Sequence, residues 1–147
     1  MSLKDQLNES MKTAMKARDT LRLSAVRMVR SAIKNREIDS RMEMDDQGII
    51  EVISSLAKQR RESIRMYQDG NRADLVEKEE AELAIMMEFL PAQLSPDEIS
   101  ALIDRIIAET GAAGARDMGR VMKILTPLTA GKADGKTVSE AVKQKLA

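Results

Sequence analysis

An all-α fold follows from three features of the sequence. Apolar residues recur at helical spacing along most of the chain, cap and breaker residues divide them into runs of helix length, and no segment alternates with the period of two that marks a strand. The organisation expected is an N-terminal helical hairpin or bundle region over residues 1–92 and a small three-helix C-terminal domain over residues 95–147.

The elements follow in order. Leu3, Leu7, Met11, Ala14 and Met15 set a first helix over residues 3–17. Asp19 caps a second, from Thr20 to about Asp39, with Leu21, Ala25, Val26, Val29, Ala32 and Ile33 on its apolar face. Arg27, Arg30, Lys34 and, if the helix runs that far, Arg41 fall on a neighbouring wedge. The polar stretch SRMEMDD, residues 40–46, is a connection, and Asp45-Asp46 favours a new helix start through the macrodipole. The third helix runs to about Gln68. The turn Asp69-Gly70-Asn71 follows, where Gly and Asn suit positive-φ positions. The fourth helix runs from Arg72 to Phe89, and Pro91 prevents continuation. Ser95-Pro96-Asp97-Glu98 combines an N-cap, a proline at the first helical position and a capping-box glutamate, so a fifth helix extends to Glu109. A short helix from Asp117 to Thr126 stops before Pro127, and residues 129–135 form a loop. Thr137 and Glu140 make a second capping box for the last helix, which packs Val138, Val142 and Leu146.

Three charges lie where apolar side chains are expected. On the third helix Ile49, Ile53, Leu56, Ala57, Ile64 and Tyr67 share a face with Arg60 in its middle. On the fourth, Leu75, Leu83, Met86, Phe89 and Leu90 share a face that contains Glu79 and Glu82. With Gly70 as the pivot of an antiparallel hairpin, Arg60 stands level with both glutamates. A buried charge is costly unless paired, so an Arg60 to Glu79/Glu82 ion pair inside the hairpin is expected, with the role of fixing helix register.

Composition excludes several chemistries. Cysteine and histidine are absent, which removes disulfides, thiol nucleophiles, zinc sites of the usual kind and histidine-based catalytic pairs. With only Tyr67 and Phe89 as aromatics, there is no platform for stacking bases. No apolar run approaches membrane-spanning length, and MSLKDQLNES lacks a signal-peptide core, so a cytoplasmic protein is expected. No cofactor and no metal are implied: Glu79 and Glu82 at i, i+3 lack the histidines of a di-iron pattern. The net charge is zero but unevenly spread. Residues 16–41 carry eight basic and three acidic side chains, residues 74–98 one basic and eight acidic, and residues 116–147 seven basic and three acidic. The N-terminal basic patch reads first as a solvated face balanced by the acidic segment.

Gly131-Lys132-Ala133-Asp134-Gly135-Lys136-Thr137 is one residue short of a phosphate-loop pattern. No strand precedes it, so nucleotide hydrolysis is not expected. A helix N-terminus flanked by Lys132 and Lys136 can still hold a phosphate group.

KQRRESIRMY (58–67), GNRADLVEKEEAEL (70–83) and FLPAQLSPDEI (89–99) resemble the central signature of the GatB/YqeY family. DMGRVMKILTP (117–127) and GKADGKTVSEAVKQKL (131–146) resemble its C-terminal signature. The match spans nearly the whole chain and is similar to the family's free-standing members, with Phe89 where the family commonly has Tyr. The resemblance implies a two-part helical architecture, related at its C-terminal end to the tail domain of the B subunit of tRNA-dependent amidotransferase. It also implies a link to glutamine-dependent carbon–nitrogen ligase chemistry. In that enzyme the tail helps hold tRNA while catalysis sits in a separate domain, for which this chain has no room, so it is not expected to be catalytic alone.

Two functional expectations follow. The first is an accessory module that binds tRNA or similar folded RNA, or works beside an aminoacyl-tRNA-related protein. Its surface would comprise Arg116, Arg120, Lys123, Lys132, Lys136 and Lys143, contacting phosphates and shape rather than stacked bases. The second is a helical protein–protein interaction module with no nucleic-acid role, using the acidic fourth helix or methionine-rich grooves.

Overall fold

The computed structural model describes residues 1–147 as seven α-helices and one short 3-10 turn, with no strand. The helices are α1 (Leu3–Ala17), α2 (Thr20–Ser40), α3 (Asp46–Asp69), α4 (Ala73–Met87), α5 (Pro96–Thr110), α6 (Met118–Thr129) and α7 (Gly135–Leu146), with the 3-10 turn at Ala115–Asp117. The chain is all-α. It divides into two compact units, Met1–Leu90 and Pro91–Ala147.

In the first unit α3 and α4 pair along their length as an antiparallel hairpin, and α2 packs on α4, on α3 and on α1. Leu7, Val26, Val29, Ile49, Ile53 and Met86 are almost completely buried at its centre. Helix starts are fixed by side chains that replace missing main-chain partners. Asp19 accepts from the Arg22 amide at 3.1 Å, and Asp45 accepts from the Gly48 amide at 2.8 Å. Asp46 accepts instead from the Leu3 amide at 3.0 Å, which ties the start of α3 to the start of α1.

The turn between α3 and α4 departs from expectation. Gly70 has an ordinary φ of −86°, and Asn71 alone takes the left-handed conformation, at φ 56°. Asparagine tolerates this region because its short polar side chain limits the steric penalty. The fourth helix ends at Met87 rather than Phe89. The amides of Glu88, Phe89 and Leu90 reach the carbonyls three residues back at 3.2 Å, a tightened turn that buries Phe89.

In the second unit α5, α6 and α7 enclose Ile99, Ile103, Ile106, Val121, Leu125, Val138 and Val142. Ser95 and Glu98 form the reciprocal capping box at the start of α5. Two expectations fail here. Helix α6 runs through Pro127 to Thr129. Pro127 removes one main-chain donor in the last turn, but Leu125 and Thr129 are buried on either side of it, and the Thr129 hydroxyl donates to the Leu125 carbonyl at 3.2 Å. Nor do Thr137 and Glu140 cap α7. Helix α7 begins at Gly135 with Asp134 as N-cap, so Thr137 lies inside the first turn, where its hydroxyl donates to Asp134 Oδ2 at 3.2 Å.

Candidate nucleic-acid interface

Within the second unit, Arg116, Arg120, Lys123, Lys132, Lys136 and Lys143 all have exposed side chains. The elements that carry them differ. Arg116 lies on the 3-10 turn, Arg120 and Lys123 are one turn apart on α6, Lys132 is in the α6–α7 connection, and Lys136 and Lys143 share a stripe of α7. Arg120 is engaged by Asp117, with Nη2 at 3.3 Å from Oδ1. Asp117 also accepts from the Ala113 amide at 2.9 Å, and the main-chain donors at Ala113 and Gly114 hold its carboxylate below the ordinary range. The other five cations have no carboxylate within ion-pair distance, although Glu140 lies between Lys136 and Lys143 on the exposed face of α7.

The α6–α7 connection is rigidly made. The Lys132 amide donates to Thr129 O at 2.8 Å, and the Lys132 carbonyl accepts from the Leu94 amide at 2.8 Å. Gln93 adds a bond to the Gly131 carbonyl at 2.8 Å. The main chain of Lys132 is therefore fixed on both sides while its ammonium reaches solvent. On the same unit Ile124 and Leu128, at i, i+4 on α6, are 41 % and 42 % exposed.

The first unit holds the charged cluster of the hairpin. Arg60 Nη1 bonds Glu79 Oε2, and Arg60 Nη2 lies 2.8 Å from Glu82 Oε2 and also touches Met28 Sδ. The Glu82 side chain is only 4 % exposed and that of Arg60 12 %. The arginine engages both glutamates and the Met28 sulfur, so the cluster joins α3, α4 and α2. A second link, Arg22 to Glu88 at 2.5 Å, ties α2 to the end of α4, and the guanidinium holds the Glu88 carboxylate below its usual range. No group of acidic side chains is arranged to hold a metal ion.

A hollow of about 560 Å³ lies between α1 and α2, lined by Lys4, Asn8, Arg27, Arg30, Lys34 and Glu37 among others. Arg27, Arg30 and Lys34 of the basic wedge line this hollow; Arg41, the cap that ends α2, does not. Within the acidic segment Asp74 pairs with Arg72, Glu79 and Glu82 with Arg60, and Glu88 with Arg22. The sequence contains a signal for the hollow. Lys4, Asn8, Arg27, Arg30 and Lys34 each follow a core-facing residue by one position, at Leu3, Leu7, Val26, Val29 and Ile33, and so border the two apolar stripes.

Comparison with known proteins places these features in context. The family model for Yqey-like protein matches residues 4–146. Several curated relatives bear the name altered inheritance of mitochondria protein 41, mitochondrial, three of them as follows. The one from Lachancea thermotolerans is 38 % identical over 107 residues, covering 70 % of this chain and 57 % of the relative. That from Kluyveromyces lactis is 37 % identical over 106 residues, covering 70 % and 57 %. That from Saccharomyces cerevisiae is 34 % identical over 112 residues, covering 71 % and 60 %. The chain thus spans somewhat more than half the length of these relatives. Their names overturn the cytoplasmic assignment expected from composition. An absence of cysteine is compatible with any reducing compartment, and it does not say which one.

Proposed function

The chain belongs to the Yqey-like protein family, and on that premise we propose that it is an accessory module, without catalysis of its own, that binds tRNA or similarly folded RNA. The observation that carries this reading is the set of exposed cations on the second unit, Arg116, Lys123, Lys132, Lys136 and Lys143, none with a carboxylate partner. Lysine and arginine held at a surface without counter-charges bind phosphates by releasing condensed counterions. Both aromatics, Tyr67 and Phe89, lie in the first unit, so recognition here runs through backbone and shape. The resemblance to the amidotransferase tail supplies the tRNA class. The reading leaves any carbon–nitrogen ligase chemistry to a partner; the chain carries no histidine or cysteine, so histidine-based pairs and thiol nucleophiles are absent from it.

The test is binding of the purified full chain to bulk tRNA across a salt series. Saturable binding is expected, falling steeply between roughly 50 and 200 mM salt. Replacing Lys132 and Lys136 by Glu should abolish it. No binding at low salt overturns the reading, and unchanged affinity of the double variant overturns this surface.

A second reading is favoured by one observation, the exposed Ile124–Leu128 pair on α6. Two apolar residues at i, i+4 are the anchor spacing of helix-in-groove recognition. In that case a protein partner is lost in the Ile124→Glu/Leu128→Glu variant and survives RNase treatment.

A further inference from the structure

We propose that the groove between α1 and α2 is a second phosphate-binding site, one that takes the backbone of a nucleic-acid strand. The proposal does not depend on the cations of the second unit.

The charge balance inside the groove carries the argument. At its end Lys4 and Glu37 pair: Glu37 Oε2 accepts from Lys4 Nζ at 2.8 Å and from the Met44 amide at 2.9 Å. These bonds, the lysine's first, hold the Glu37 carboxylate below its ordinary range. Lys4 and Glu37 therefore cancel. Arg27, Arg30 and Lys34 remain, and no carboxylate lies within ion-pair distance of any of them. Three like charges along one hollow repel each other and concentrate a positive potential there.

Arg30 is the most telling of the three. It is half-buried, and both its known partners are neutral. Nε donates to Asn8 Oδ1 at 3.0 Å, and Nη1 lies 2.9 Å from Met11 Sδ. A guanidinium held by an amide and a thioether is oriented without being neutralised, and its Nη2 is left for a ligand. An arginine placed this way is built to present donors to an anion, because its planar fork matches phosphate oxygens.

The arrangement also selects the kind of anion. The cations do not converge on one point. Arg27, Arg30 and Lys34 follow one stripe of α2 and rise along it by roughly 10 Å at 1.5 Å per residue. That is the span of two or three nucleotides of backbone, at about 3.4 Å or more per nucleotide. A single phosphate ion would meet one of these cations well and the others poorly. The hollow contains no aromatic side chain, so bases are not stacked and the contact is independent of sequence. A concave track also fits a strand better than it fits the flat surface of a membrane.

The experiment uses the full-length chain and a fluorescein-labelled oligouridylate of about 16 nucleotides, the upper end of common single-strand site sizes, read by anisotropy over a salt series. The variants are Arg27→Gln/Lys34→Gln for the groove and Lys132→Gln/Lys136→Gln for the second unit. All four side chains are exposed, so neither variant disturbs a core. The groove variant should bind about tenfold or more weakly, and its slope of log affinity against log salt should shrink by about 1.4, two phosphate contacts at 0.7 each. If only the second-unit variant loses affinity, the groove proposal is overturned and the earlier surface stands. If only the groove variant loses affinity, the groove stands and that surface falls. Absence of salt-sensitive binding by the unmodified chain overturns the proposal. So does capture by anionic vesicles, in the Arg27/Lys34-dependent manner, without binding to the oligonucleotide.

Discussion

Arg60 shows what one charged side chain can do between helices. Its guanidinium holds Glu79 and Glu82 together on α4 and leans on Met28 of α2, so three helices meet at one group. Replacing Arg60 by Met keeps much of the volume and removes the charge, leaving Glu82 buried beside Glu79 with no cation. Breaking a buried pair from one side costs about 3–5 kcal/mol, because the abandoned charge must be desolvated alone. Urea unfolding of Arg60→Met should show a loss of this size, whereas Arg60→Met with Glu79→Gln and Glu82→Gln should recover a large part of it. If Arg60→Met is as stable as the original chain, the cluster does not hold the hairpin. The antiparallel arithmetic about Gly70 gives this contact from sequence alone, because it needs only two helical periods and one pivot. The orientation of Arg30 could not be obtained that way. It depends on how α1 is rotated against α2, which is set by the packing of Leu7 and Met11 against Val26 and Val29 rather than by any local signal.

At the scale of elements, the starts of α2 and α5 were legible in the sequence, whereas α7, expected to be capped at Thr137, starts from Asp134. Asp19, Asp45 and Ser95 each supply an oxygen to an orphan amide, a local interaction that side-chain chemistry reveals directly. Stops depend on what surrounds the last turn. Pro127 does not end α6: Leu125 and Thr129 are buried on either side of it, and Leu125 packs in the core shared with α5 and α7. The α3–α4 turn gives a sharper lesson, since glycine and asparagine are both candidates for positive φ and the structure uses only Asn71. At Gly70 a Cβ would meet nothing closer than the Met66 carbonyl at 3.5 Å, an ordinary contact. Gly70→Ala should therefore be neutral or stabilising by up to about 1 kcal/mol, through reduced freedom of the unfolded chain. Asn71→Ala should be destabilising by about 1 kcal/mol, the cost of a Cβ in the left-handed region. Thermal or urea unfolding of the pair decides it; the opposite ordering would mean that Gly70 is the strained position.

For the whole molecule, the two units have separate cores. Every residue buried in the first core precedes Pro91, and every residue buried in the second follows it. The boundary falls in the stretch between Met87 and Pro96: α4 has already ended in a tightened turn, Pro91 bars any helical continuation, and Ser95 restarts the chain as the cap of α5. Cores that share no side chain give each unit its own cooperative packing, and stability then need not be uniform along the chain. Leu125 is fully buried at the centre of the second core, so Leu125→Ala removes three carbons from a packed site and should cost about 2–5 kcal/mol there. Amide hydrogen exchange separates local from global effects. The amides of α5, α6 and α7 should lose protection in Leu125→Ala, while those buried in α3 and α4 keep theirs. Loss of protection spread evenly over all seven helices would mean that the chain unfolds as one unit, and that damage in the second core is felt in the first. The distinction bears on function, because a second unit that opens by itself would lose its fixed Lys132 main chain while the α1–α2 groove stayed formed. Oligonucleotide binding by Leu125→Ala near its transition, divided between the two surfaces by their variants, would then report each unit's folding separately.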